Sequence, residues 1–423
     1  MSVTARLVRF LTYAAPVAVC AWIALGFVVG WGATAALIPL LSGAACVIGI
    51  VAYVMALKRS ESLYRREIAL GLEAALDAAS SEERDFDLAT DKLVVFSDQH
   101  KGARDGADDF WRAERAYCSA LAYYFELGHR LIVLGDAEEL WETWSPAKVI
   151  RKHAGNDNRA LDLEARFQVA GRYDRAWGNH DLNWSDPAQV AKHLVAGGPF
   201  PESFEVREGI RLRVLSAGRE LGRLFLVHGH QGTADSQVIT AVSRPVVRLF
   251  GFLQRRFKRG WNTPSTDWKL RQRHDRAMFA WAKSKRSDRV VLIAGHTHRP
   301  VFWDSQRKPP TDREIEMLEG ELRDAEQAAA SDLPRAERAA DLAYAEADKR
   351  WGEGSGGPPA EDMIPPCYFN TGCCSFADGD ATGLEIEGGE IRLVRWPDNE
   401  GRARPQRLAC AALEEVFSAI GVR

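Results

Sequence analysis

Five short strand-like runs, each leading into a hard oxygen or imidazole ligand, constrain this chain more than any other feature. Leu93–Phe96 leads into Ser97-Asp98-Gln99-His100, and Leu131–Leu134 into Gly135-Asp136. An arginine-rich approach leads into Trp177-Gly178-Asn179-His180-Asp181. Leu224–Val227 leads into His228-Gly229-His230, and Val290–Ala294 into Gly295-His296-Thr297-His298. Short apolar runs bounded in this way read as buried strands. Helical patterns between them imply an α/β arrangement. Ligands carried at the tips of such strands gather at one edge of a sheet.

The residue types fit one kind of chemistry. Two divalent cations roughly 3.5–4 Å apart hold a phosphate and make hydroxide from water near neutral pH. Such a pair needs a bridging carboxylate, neutral imidazoles and an amide oxygen. The five blocks supply all three and no thiolate, which sets aside a cysteine-type structural zinc site. A lone histidine at a strand end is commonplace. Here six of the ten histidines (His100, His180, His228, His230, His296 and His298) fall within ordered blocks.

The ordered set Asp-x-His, Gly-Asp, Gly-Asn-His-Asp, His, Gly-His-Thr-His resembles the calcineurin-like metallophosphoesterase superfamily. The resemblance spans Leu93–Arg299, with a last piece at Tyr368-Phe369-Asn370-Thr371-Gly372. It implies two facing mixed β-sheets flanked by helices, with metals at the strand ends. It implies that Asp98, His100 and His298 hold one metal, that Asn179, His228 and His296 hold the other, and that Asp136 bridges them. His180 would stand just outside, as proton donor to the leaving oxygen or stabiliser of the transition state. Of the pair His228 and His230, His228 is taken as the ligand because it comes first after its strand; His230 would then face substrate or solvent. The metals implied are manganese, with iron or zinc as alternatives.

Within that superfamily, phosphoprotein phosphatases carry an Arg after the second acidic position of the Gly-Asp block and a Glu closing the Gly-Asn-His block. Leu140 and Asp181 stand there instead. The chain looks closer to bacterial UDP-diacylglucosamine hydrolases: Gly135-Asp136 is followed by Glu139 and Trp141, and a basic segment follows His228. It departs from that group at His180, where an Arg is usual. Glu139 reads either as the carboxylate that orients His180 or as a helix-start acid. Lys101 and Arg104 read as contacts to phosphate oxygens or as solvated loop charges. Cys373 and Cys374 read as packing residues.

Net charge is −3, which gives no reason to expect a nucleic-acid partner. That mean hides one asymmetry: Phe10–Leu57 contains no Asp, Glu, Lys or Arg. A membrane helix needs about 20 apolar residues, so the stretch predicts two spans, Phe10–Val29 and Ala33–Leu57, reversing near Gly30-Trp31-Gly32. A signal peptide has an apolar core of only about 7–15 residues. Arg6 and Arg9 before the spans, and Lys58, Arg59, Arg65 and Arg66 after them, place both flanks and the catalytic domain in the cytoplasm. Seven cysteines without regular spacing fit a reduced compartment.

The expected organisation is a membrane anchor over 1–59, a linker helix over 60–90, a metallophosphoesterase domain over 91–400 and a terminal helix over 401–423. Two insertions interrupt the domain. In 233–285, Val246, Leu249, Phe250, Leu253 and Phe257 share a helical face crowded by Arg and Lys, which reads either as a helix lying on a membrane or as a surface helix packing its apolar side on the domain. The second, 312–351, reads as a helical hairpin broken at Pro334. Further elements expected are a helix over Asp108–Leu127, a strand pair of Phe204–Val206 with Ile210–Leu215, and a helix over Leu408–Ile420. The activity expected is hydrolysis of a phosphoester or pyrophosphate in a small-molecule or lipid substrate at a bilayer. The alternative is a membrane-anchored scaffold with a structural metal site and a partner-binding arm at 312–351.

Overall fold

The computed structural model describes residues 60–104, 108–141, 143, 145–155, 159–233, 268–303, 363–376, 379–398 and 404–421. The expected membrane hairpin, the 246–257 helical face and the 312–351 arm lie outside these residues. Among the described residues no helix is long and apolar enough to cross a membrane.

Two mixed sheets form the centre of the fold. The first seven strands are β1 (Arg84–Asp87), β2 (Leu93–Phe96), β3 (Arg130–Leu134), β4 (Tyr173–Ala176), β5 (Val206–Arg207), β6 (Gly209–Ser216) and β7 (Arg219–Val227). The rest are β8 (Val290–Ala294), β9 (Pro300–Val301), β10 (Tyr368–Thr371), β11 (Ala381–Glu387), β12 (Glu390–Trp396) and β13 (Gln406–Ala412). The seven-stranded sheet runs β13-β12-β11-β2-β3-β4-β5, and the six-stranded sheet β1-β6-β7-β8-β10-β9. In the first, β2, β3, β4 and β5 are parallel neighbours; in the second, β7 and β8 are. Parallel neighbours end at the same edge, so the ligand blocks after β2, β3 and β4 are brought together, as are those after β7 and β8.

The period-2 pleat assigns each strand residue to a layer. Leu93, Val95, Ile132 and Leu134 join the core that includes the six-stranded sheet. Val94, Phe96, Leu131 and Val133 face the other way, into a core with helices α1 (Glu114–Glu126), α2 (Pro146–His153) and α3 (Ala160–Val169). The six-stranded sheet is covered by α4 (Glu61–Ala79), which precedes β1, by α5 (Trp268–Ser284), which precedes β8, and by α6 (Leu413–Gly421). Ser60 caps α4 through its Oγ, which accepts from Leu63 N at 3.3 Å. Its buried stripe of Ile68, Leu72, Ala75, Leu76 and Ala79 follows helical spacing.

Four expectations need correction. The 60–90 linker contains a strand: β1 pairs in parallel with β6, and only Phe86 of its four residues is buried, so its charged sequence hid it. The strand pair around Glu208-Gly209 does not form. β5 adds to β4 in one sheet while β6 pairs with β7 in the other, because the reversal falls at Ala217-Gly218, where φ is +50° and +75°. The helix expected from Asp108 begins at Glu114. The helix expected from Leu408 begins at Leu413, because the preceding residues pair with β12 and bury Ala409 and Ala411 in alternation. Tertiary pairing there overrides the helical preference of an alanine-rich run.

Candidate metal centre

The ligand blocks meet where strand ends of the two sheets face each other. Asp98 follows β2, Asp136 follows β3, Asn179 follows β4, His228 follows β7, and His296 and His298 follow β8. The loops are tied by backbone bonds: Asp98 N donates to Gly135 O at 3.1 Å, His100 N to Asp136 O at 2.9 Å, and Gly295 N to His228 O at 2.9 Å. Gly178 is required by close approach, since a Cβ there would lie 2.1 Å from Asp136 Oδ1. Asp98, His100, Asp136, His296 and His298 all have φ between +49° and +69°. Non-glycine residues in this region each carry roughly 1–3 kcal/mol of strain, and such strain concentrates at functional sites.

The side chains form three groups, two of which share the Asp136 carboxylate. Asp98, His100 and His298 each offer an atom within 4.8 Å of the others, and so do Asp136, His228 and His296. His100, Asp136 and His180 form a third such set, linking the two. Asp98 Oδ1 lies 3.2 Å from His298 Nε2 and 4.0 Å from His100 Nε2 and from His228 Nε2. Asp136 Oδ2 lies 3.1 Å from His228 Nε2 and 3.9 Å from His100 Nε2. Asp136 Oδ1 accepts from His180 N at 2.8 Å.

The imidazoles are oriented from behind. His228 Nδ1 donates to the Leu134 carbonyl at 2.9 Å, which aims Nε2 at Asp136. Glu139 serves two rings at once, His180 Nδ1 at 2.6 Å and His100 Nδ1 at 3.2 Å. His180 stacks on Trp141 with ring centres 4.4 Å apart, and its side chain is 26% exposed. Asn179 Oδ1 is buried and makes no hydrogen bond among the described residues. A buried polar atom without a partner is costly, and an amide oxygen is an atom that ligates cations.

Burial opposes protonation of His228, yet Asp136 and Asp98 outweigh it and raise its pKa to about 9. Burial likewise opposes charge on Glu139, but His180 and His100 hold its carboxyl down to about 2. Carboxylates that draw protons this strongly onto a buried ring attract divalent cations by the same field.

Every expected metal ligand is therefore found at this edge. Both members of the basic pair are engaged by acids. Lys101 is fully buried, with Nζ 2.6 Å from Glu164 and 3.5 Å from Glu138. Arg104 is ion-paired with Glu114. His230 does not face solvent: it is 1% exposed, packed between Trp177 and His228. Glu139 is the orienting carboxylate rather than a helix-start acid.

Two supports were not anticipated. His274 and Asp275 on α5 reach the loops of His228 and His296, and no sequence spacing links them to those blocks. Ser97 Oγ bonds Asp98 and, at 2.7 Å, Thr371 Oγ1, while Asn370 Nδ2 donates to Gly295 O at 2.7 Å. Comparison with models of known protein families finds no match, and comparison with curated proteins finds none either.

Proposed function

We propose that the chain is a dinuclear-metal phosphoesterase of the calcineurin-like type, hydrolysing a phosphoester or pyrophosphate bond. The observation that carries the reading is Asp136, one carboxylate shared by two imidazole-rich groups at strand ends of facing sheets. Asp98, His100 and His298 would hold one cation, Asn179, His228 and His296 the other, and Asp136 both. The orphaned amide oxygen of Asn179 fits this assignment. Bound divalent cations, manganese in the first instance, supply Lewis-acid polarisation and a nucleophile near neutral pH.

The chain's own residues do the remaining work. Glu139 fixes His180 Nδ1 as a donor, and Trp141 holds the plane of the ring. His180 gives a proton to the leaving oxygen. Lys101, fully buried against Glu164, acts as a support of the site.

The charge-free stretch Phe10–Leu57 supports a bilayer anchor and a lipid-linked substrate on the cytoplasmic side. A compartment-sensitive reporter fused after Arg423 tests the topology; signal only from the outer side would overturn it. The activity is tested by screening manganese-loaded full-length protein against lipid and nucleotide phosphoesters and an aryl phosphodiester. Metal-dependent turnover is expected. Two bound ions with no hydrolysis of any of them would favour a scaffold with a structural metal site.

A further inference from the structure

Helix α5 lies in the segment between the fourth and fifth ligand blocks, yet it touches both. Two adjacent residues diverge from it. His274 Nε2 bonds the Gly229 carbonyl at 2.7 Å, inside the His228-Gly229-His230 turn. A carbonyl only accepts, so Nε2 carries the proton and Nδ1 accepts from Tyr64 Oη on α4, at 2.6 Å. The same ring meets His296 edge-on with centres 5.0 Å apart. Asp275 Oδ1 accepts from Thr297 Oγ1 at 3.0 Å and from Tyr368 Oη at 2.8 Å.

Gly229 N donates to Gln231 Oε1 at 3.0 Å, and its carbonyl is held by His274. Gly229 has φ +108°, and a Cβ there would meet Met278 Sδ at 3.2 Å and Ala294 Cβ at 3.4 Å. The turn is also pressed by α4, where a Cβ on Gly71 would lie 2.5 Å from Gly232 N. Helix α4 is held to α5 by Arg273 with Glu61 at 2.7 Å and by Lys285 with Glu73 at 2.6 Å.

We infer that His274 is a positioning residue for one of the two cation positions, the one assigned to His228 and His296, and that Tyr64 locks its tautomer. The inference rests on the two-cation reading above. One ring holds the Gly229–His230 peptide, in the turn that follows His228, and the flank of His296, while it touches neither Asp98 nor His100 nor His298 in any described contact. Its loss therefore acts on one cation and spares the other. Outer partners of this kind typically change metal affinity by about 10–100-fold.

The experiment is a calorimetric titration of Mn²⁺ into the metal-stripped full chain. Two ions should bind the unmodified protein; fewer would overturn the two-cation reading itself, whatever the variants do. In His274→Ala one ion should keep its affinity while the other weakens about 10–100-fold. His274→Gln, whose amide can donate to Gly229 O, should recover most of the loss. Tyr64→Phe removes one oxygen and should weaken the same ion by a smaller factor, which keeps the test decisive if the alanine variant does not fold. Equal weakening of both ions, or two unaltered ions in every variant that folds, would overturn the assignment.

Discussion

The two halves of the centre are braced in different ways. On the seven-stranded side, the loops carrying Asp98, Asp136 and Asn179 rest on buried charges. Lys101 meets Glu164 and Glu138; Arg175 pairs with Glu138 and lies 3.3 Å from Asp181. Asp181 in turn accepts from Gly178 N at 2.6 Å and Ala137 N at 3.0 Å. Tyr117, Tyr173 and Trp184 donate into the same acids. On the six-stranded side the bracing is two sets of hydrogen bonds: Tyr64 to His274 to the Gly229 carbonyl, and Thr297, Tyr368 and Asn370 about one carboxylate, Asp275, with Arg299 3.6 Å away.

The difference has an energetic meaning. A buried ion network adds little when complete, but it is expensive to break because each removal strands a charge. On the six-stranded side most bonds join neutral groups, each worth about 1 kcal/mol, and only those to Asp275 involve a charge, worth about 1.5–3 kcal/mol. The half bearing the shared carboxylate is thus the stiff half, and the half bearing His228, His296 and His298 is the one that single changes can loosen.

Four substitutions probe that contrast, from the largest effect to the smallest. Asp136→Asn removes the one carboxylate common to both groups, so turnover should be lost and bound metal should fall below two ions per chain. Metal analysis showing two ions with unchanged turnover would refute its bridging role. Arg175→Met strands Glu138 and Asp181 and should lower stability by about 3–5 kcal/mol, read from denaturant unfolding of the full chain.

His180→Ala should retain both metals and lose roughly 10²–10⁴-fold in kcat on a poor leaving group. The loss should shrink on a nitrophenolate leaving group, which needs less protonation. Equal losses on both substrates would leave His180 as an electrostatic or positioning group, and loss of metal would make it a ligand. Last, Thr297→Val removes one hydroxyl that donates to the Asp275 carboxylate on the softer half and should cost about 1.5–3 kcal/mol. A cost equal to that of Arg175→Met would erase the distinction between the halves.

What could be read without coordinates was whatever is local. The strands β2, β3, β7 and β8 are short apolar runs, and the ligands follow them directly, so adjacency in sequence implies adjacency in space. The same holds for His180, which neighbours Asn179, and for Glu139, which lies close enough to Asp136 to turn back on the site. The errors share a cause. Lys101 follows Asp98 and His100 and reads from sequence as a phosphate contact or a solvated loop charge, but its direction depends on Glu164, on a helix distant in sequence. β1 and β13 look like linker and helix because an edge strand takes its identity from the strand it pairs with.

The sequence by itself determined which chemistry gathers at the strand ends, because residue type and the order of the blocks are local properties. Only the tertiary structure decided how the ligands are aimed. Aim depends on carbonyls and carboxylates supplied by other elements: Leu134 O for His228, Glu139 for both His100 and His180, Gly229 O for His274. A hydrogen bond acts through a few ångströms of space and takes no account of separation along the chain. Tyr64 and His274 are 210 residues apart, yet meet at 2.6 Å because two helices pack on the same sheet.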